Sequence, residues 1–126
     1  MATVLNNKKD EIREVAESSL IAFIKLVHPK TMLGSIHEEL CSWWERSEAK
    51  THQLVLLPRD HQKSRLIAYR VAWWLTRHPW MRVLYISSTA NLAEKQLKFI
   101  KDIFLSDIYR RYWPDQIGRA SCRERV

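Results

Sequence analysis

Glycine and cysteine are both scarce in this chain, which has two of each among its 126 residues. With only Gly34 and Gly118, the sequence has little of the residue that adopts positive φ without steric cost. It therefore lacks the glycines of the standard phosphate-loop pattern GxxxxGK[ST]. Cys41 and Cys122 are too few for a disulfide framework, so we expect a reducing compartment.

Long apolar runs are absent as well. Lysine and arginine interrupt every apolar stretch, and we therefore expect no membrane-spanning segment. Residues 1–15 have no apolar core behind their charges, which argues against a secretory signal peptide.

The composition that remains is that of a globular protein with a basic surface. Apolar residues make up 46% of the chain, charged residues make up 28%, and the formal net charge is +7. A nucleic-acid partner is compatible with this charge but is not established by it. The last ten residues, 117–126, resemble the translation of a sequencing-library adapter. We interpret them as a non-native tail, with a natural basic tail as the alternative, and residues 1–116 as the N-terminal part of one domain.

Hydrophobic periodicity divides the chain into a helical lead-in and a core of alternating strands and helices. Apolar residues at spacings of three and four predict two N-terminal helices over about 8–46, from Lys8 to Val27 and from Ser35 to about Arg46. Short apolar runs predict two strands, and the core over about 53–113 reads strand, helix, strand, helix: 53–57, 63–77, 82–87 and 91–104, then a short helical segment at 107–113. This order predicts a right-handed βαβ unit in an α/β fold with parallel strands.

The segment 54–64, LVLLPRDHQKS, has the layout of a phosphate-binding loop. An apolar run is followed by a short loop that ends in Lys63-Ser64, and a helical pattern begins there. Backbone N–H groups at a helix N-terminus, together with a cation, bind phosphate. Leu57 and Gln62 occupy the two glycine positions of the standard pattern. The alternative is an ordinary solvated helix start.

LLPRDHQKS, followed by LYISSTANLAEKQLKFIKDIF, resembles the N-terminal ATPase domain of the large terminase subunit of tailed bacteriophages. The family's loop commonly reads Pro-Arg, a few variable or glycine positions, then Lys-Ser/Thr; Pro58-Arg59 and Lys63-Ser64 match it. Asp60 and Gln62 depart from the commoner glycines. The resemblance covers about residues 10–115. It implies a partial P-loop NTPase domain (RecA-like/ASCE), and it places the upstream helices near the adenine.

The resemblance also implies roles for the loop residues. Lys63 would contact the β- and γ-phosphates of ATP, and Ser64 would bind Mg²⁺. Arg59 would contact the γ-phosphate or stabilise charge that develops in phosphoryl transfer, so Arg59 and Lys63 are the candidate catalytic residues. The implied ATP-binding set is Pro58, Arg59, Asp60, His61, Gln62, Lys63, Ser64 and Arg65.

By the same resemblance, the intact protein would be a DNA-packaging motor that hydrolyses ATP and cleaves DNA in the cytoplasm of an infected bacterium. Its partners would be double-stranded DNA, a small terminase subunit and the portal protein, with the motor assembled as a homo-oligomeric ring. No acid after Ser64 ends an apolar strand, so the acidic pair that holds Mg²⁺ and activates water is missing. We therefore expect this chain alone neither to hydrolyse ATP nor to cut DNA.

Two alternatives remain open. The first is another P-loop ATPase, such as a helicase-like protein. The second is a small basic nucleic-acid-binding module without a nucleotide site, for which the candidate contacts are Arg65, Arg70, Arg77, Arg110 and Arg111. The spacing of the histidines does not match that of a metal site.

Overall fold

Helices form all the regular secondary structure of the described residues. The structure is a computed structural model, and it describes residues 2–47, 52–58 and 62–114. The proposed adapter-derived tail, 117–126, lies outside these ranges. The six helices are α1 (Ala2–Ser18), α2 (Leu20–Val27), α3 (Ser35–Arg46), α4 (Lys63–Arg77), α5 (Ala90–Leu105) and α6 (Asp107–Tyr112).

The lead-in contains three helices rather than the predicted two. The long helix predicted from Lys8 to Val27 is interrupted at Ser19, whose backbone leaves the helical region (φ −134°, ψ 125°). The Ser19 hydroxyl accepts a hydrogen bond from the backbone N–H of Ala22 and so caps α2. The end of α2 before His28-Pro29 and the range of α3 confirm the predicted boundaries.

The core lies where α2 and α4 meet. Leu20, Phe23, Ile24 and Val27 of α2 are all buried, as expected for a short and almost wholly apolar helix. α2 packs against α1, α3, α4 and α6, while α5 packs mainly on α4. The core continues through a wide face of α4 that comprises Leu66, Ala68, Tyr69, Ala72, Trp73 and Thr76.

The prediction of an α/β fold, a partial P-loop NTPase (RecA-like/ASCE) domain with parallel strands, is wrong. The part of the chain that the structure describes is all-helical and contains no strand or sheet. Both segments predicted as strands, 53–57 and 82–87, have no regular secondary structure. A strand requires a neighbour to pair its backbone N–H and C=O groups, and these two segments do not pair with each other.

Apolar side chains of these two segments are exposed instead of covered. Leu54 and Leu56 are each 78% exposed, while Val55 between them packs against the core. Leu84 and Ile86 are also largely exposed. The alternation within 53–57 is typical of an extended chain with one side on the helices. The short apolar runs therefore did not identify a sheet.

No helix within residues 2–47, 52–58 and 62–114 combines the length and apolar character needed to cross a membrane.

Candidate nucleotide-binding site

The N-terminus of α4 holds the predicted phosphate-binding residues. Lys63, Ser64 and Arg65 are the first three residues of this helix, and Gln62 is its N-cap. Gln62 has φ 55° and ψ 25°, the left-handed region, and is the only non-glycine residue with positive φ in the described part of the chain. Positive φ thus occurs where the standard phosphate loop has a glycine, although glutamine provides it.

Side chains of the first turn leave the N-terminus of α4 open to an anion. The Gln62 side chain makes no capping hydrogen bond, and the first turn contains no acidic residue. The first backbone N–H groups of a helix have no partner within the helix. Together with the helix dipole and the ammonium group of Lys63, they favour a bound anion.

A pocket of about 470 Å³ lies beside this helix end. Gln62 and Arg65 form one side of it, and the turn after α2 forms the other, through His28, Pro29, Lys30, Thr31 and Met32. The volume is within the range of small-molecule sites. Among the described residues, two cationic side chains, Lys30 and Arg65, line the pocket, and no acidic side chain does. In addition, Gln62 Oε1 is buried without a hydrogen-bond partner.

An aromatic cluster next to this pocket holds its two sides together. The rings of His28, Tyr69 and Phe99 lie with centroids 5.4–5.9 Å apart. His28 Nδ1 lies 2.5 Å from the Tyr69 hydroxyl, which is also 3.4 Å from Thr31 Oγ1. The Arg65 guanidinium carbon lies 5.8 Å from the centroid of the Phe99 ring. The turn after α2 is therefore fixed against α4 and α5.

His28 is held in its neutral form at neutral pH. Burial lowers its pKa by disfavouring the imidazolium, and the positive charge of Arg65 lowers it further. A neutral imidazole has one nitrogen that donates and one that accepts, and the nitrogen next to Tyr69 completes a hydrogen bond in either tautomer. Among the described residues that line the pocket, the positive charges are therefore those of Lys30 and Arg65, not of His28.

The structure brings only some of the predicted site residues together. Gln62 and Arg65 line the pocket, and Lys63-Ser64 lie between them in the chain. Pro58 is exposed and does not line it. Arg59, Asp60 and His61, which include one of the two candidate catalytic residues, lie outside the described residues.

The opposite side of the pocket, from His28 to Met32, was not predicted from the sequence. The sequence pattern of this segment predicts only a helix end and a loop. Its one signal was the family resemblance, which places the upstream helices near the adenine. A turn that contributes both a lysine and a histidine to a pocket cannot be recognised by spacing, because its partner residues are more than thirty positions away.

The donor set fits the phosphates of a nucleotide better than it fits a separate metal site. The described residues contain no group of three or more His, Cys, Asp or Glu side chains able to hold a metal ion. Ser64 is exposed and offers one hydroxyl at the helix end. Because Mg²⁺ binds through few protein ligands and the substrate phosphates, this hydroxyl would serve only a metal that arrives with ATP.

Two arginines of the nucleic-acid alternative are engaged with aromatic rings. The Arg70 guanidinium carbon lies 5.0 Å from the centroid of Trp44 and 5.1 Å from that of Trp74. The Arg77 guanidinium carbon lies 4.4 Å from the Trp73 ring. These contacts hold both cations against the protein.

No protein-family model, curated protein or solved structure matches this chain.

Proposed function

We propose that this chain binds ATP between the N-terminus of α4 and the turn after α2, as part of the large terminase subunit of a tailed bacteriophage. The observation that carries the proposal is the pocket in which Gln62 and Arg65 face Lys30 and His28. An anionic phosphate chain and a flat, partly polar base require different surroundings. Cations and unpaired backbone N–H groups bind the phosphate chain, and a surface backed by aromatic rings suits the base.

The phosphate chain would lie at the start of α4. Lys63 supplies a point charge there, and Arg65 lies two residues further on the same turn. The base would occupy the side formed by residues 28–32, above the His28–Tyr69–Phe99 cluster. The proposal concerns binding, and it rests on a helix end and a pocket, not on a sheet.

In the cell, this binding would serve the packaging of viral DNA in the cytoplasm of an infected bacterium. The partners would be double-stranded DNA, a small terminase subunit and the portal protein, with the motor as a ring of identical subunits. The support for these partners is the resemblance of residues 54–64 and 84–104 to the terminase family. Sequencing the coding region past codon 116 tests the assignment to this family, since a carboxylate-rich nuclease region is expected there.

Binding of ATP is tested by calorimetry on the purified 126-residue chain, in the presence of Mg²⁺. Lys63→Ala should weaken binding about tenfold or more, because a charge-assisted contact to phosphate contributes about 1.5–3 kcal/mol. Lys98→Ala is the matched control, since Lys98 is an exposed lysine of α5 outside the pocket. Its affinity for ATP should equal that of the parent chain.

Two results would contradict the ATP-binding proposal. One is a parent chain that does not bind ATP although circular dichroism shows it to be folded. The other is equal affinity in Lys63→Ala and Lys98→Ala. Displacement of ATP by inorganic triphosphate but not by adenosine would place most of the binding energy at the helix end, as the charges of the site predict.

A further inference from the structure

A second concave surface lies on the other side of α4, away from the turn after α2. It is a groove of about 390 Å³ between α4, α5 and residues 81–85. Val71 and Leu75 of α4, with Leu97, Ile100 and Phe104 of α5, form its helical walls. Apart from Tyr85 and two cations, its lining is entirely apolar. None of its residues belongs to the proposed ATP site.

The charges at this groove have one sign. Of the side chains in the described part of the chain, Arg82 and Lys101 line it and no acidic one does. An apolar groove with cations and no anion is complementary to a molecule that combines apolar groups with a negative charge. A neutral apolar ligand would make no ion pair with the cations, and a basic ligand would be repelled by them. Both therefore fit the groove less well than an acidic one.

The apolar surface continues beyond the groove along the segment that borders it. Leu84 is 83% exposed and Ile86 is 81% exposed. A compact small molecule seated in the groove would leave both side chains in water. A peptide that follows the segment would cover them, and exposed apolar patches of this kind mark interaction surfaces.

The backbone of the same segment is also unpaired within the described residues. No backbone–backbone hydrogen bond joins residues 82–87 to any other part of the chain that the structure describes. An extended peptide can supply N–H and C=O groups to such a segment, whereas an aliphatic chain cannot. The backbone of residues 82–87 and the exposed side chains of Leu84 and Ile86 thus both favour a polypeptide as the ligand.

We infer that the groove between α4, α5 and residues 81–85 binds a partner protein through a short segment with apolar side chains and carboxylates. The apolar side chains enter between α4 and α5, and the carboxylates meet the exposed Arg82. Main-chain hydrogen bonds to residues 82–87 fix the direction of the segment. This surface is independent of ATP binding, so Lys63→Ala should leave it intact.

Fluorescence anisotropy of labelled synthetic peptides tests this inference. The probe is a short peptide of leucine and phenylalanine spaced by threonine, followed by three aspartates; its twin ends in three lysines. The acidic peptide should bind at least tenfold more tightly than its twin, and added salt should reduce the difference. Leu97→Glu, which places a carboxylate in the groove, should weaken the acidic peptide about tenfold. The matched control is Leu92→Glu, on the same helix but outside the groove, and it should bind as the parent does.

Because Leu97→Glu can disturb packing, Arg82→Gln provides a second variant at an exposed position. It should weaken the acidic peptide about threefold or more and leave the circular dichroism spectrum unchanged. Equal binding of the acidic and basic peptides would overturn the inference. So would full retention of binding in both Leu97→Glu and Arg82→Gln. Displacement of the peptide by dodecanoate at equal concentration would also overturn it, by assigning the groove to a small amphiphilic anion.

Discussion

Gln62 adopts a backbone conformation that normally selects glycine or asparagine. Its φ of 55° places the Cβ atom close to the carbonyl oxygen that follows, which costs about 1–2 kcal/mol for an L-residue. The Gln62 side chain does not offset this cost, because it makes no capping hydrogen bond to α4. Strain of this kind persists where the surrounding structure requires it, and it is common next to ligand sites.

Gln62→Gly should therefore raise the free energy of unfolding, by about 0.5–1 kcal/mol, because glycine adopts positive φ without the Cβ clash. Urea denaturation followed by circular dichroism measures the change. The same substitution at Gln96, inside α5, should lower stability by about 1 kcal/mol. Destabilisation by both changes would show that the conformation of Gln62 is not strained in solution.

His28 should make stability depend on pH in the acidic range. Its pKa is lowered in the folded chain by burial and by Arg65, so below about pH 6.5 the unfolded state takes up a proton more readily. The contribution of neutral His28 to the free energy of unfolding should be fully present above about pH 6.5. It should decrease as the pH falls towards the lowered pKa of His28.

The check is the urea midpoint of the parent and of His28→Asn between pH 5 and pH 8. Asparagine keeps a hydrogen-bonding group near Tyr69 but does not titrate, so the acid-side decrease should be smaller in the variant. At pH 8 both proteins carry a neutral side chain, and the difference between their midpoints there gives the effect of the substitution itself. An identical decrease in both would assign the pH dependence to other groups.

The helices could be predicted from the sequence because the signals that define them are local. Apolar spacing and the proline after His28 gave the bounds of α3 and α4 and the end of α2. The break at Ser19 was not predicted, because a serine at that position fits a continuous helical pattern. Ser19 caps α2 only because its backbone leaves the helical conformation.

Local signals could show neither that the described residues form no sheet nor where half of the pocket lies. A strand exists only through its partner, and the pattern of 53–57 or 82–87 carries no information about pairing. Likewise, the side of the pocket that contains His28 and Lys30 meets Arg65 only through the packing of α2 on α4. The position of Gln62 and Lys63 at the start of a helix could be predicted, because that signal lies within one short segment. Their contact with ATP stays a prediction.

The start of α2 is a point where a single hydroxyl should have a measurable effect. Ser19→Ala removes the acceptor for the N–H of Ala22 and should lower the free energy of unfolding by about 1 kcal/mol. Glu45 of α3 accepts from the N–H of Leu20 at 2.8 Å, so the helix keeps a second cap and does not unravel. Ser18→Ala, at the exposed end of α1, should stay within about 0.5 kcal/mol of the parent. Equal effects of the two changes would argue against the cap.

Across the whole molecule, Trp113 joins the end of the described chain to its beginning. The indole is fully buried, stacks on Tyr109, and donates from Nε1 to Glu17 Oε1 at 2.9 Å. Its ring also contacts that of Phe23 in α2. α6 is thereby held against the two N-terminal helices.

Trp113→Ala should lower the free energy of unfolding by about 3–5 kcal/mol, the usual cost of removing a buried tryptophan. Thermal unfolding followed by circular dichroism gives the change. Trp80 offers the comparison, since its side chain is 75% exposed, and Trp80→Ala should cost less than about 1 kcal/mol. A small effect at Trp113 would mean that α6 does not pack on α1 and α2 in solution.

The contact between Glu17 and Trp113 spans 96 positions of sequence. A ribosome that adds about 5–20 residues per second needs about 5–20 seconds to make the chain between them. Trp73, whose indole bonds to the carbonyl of Ala16, arrives earlier but still long after α1. During that interval the apolar faces of α1 and α2 have few partners, so a holding chaperone would meet the N-terminal helices first.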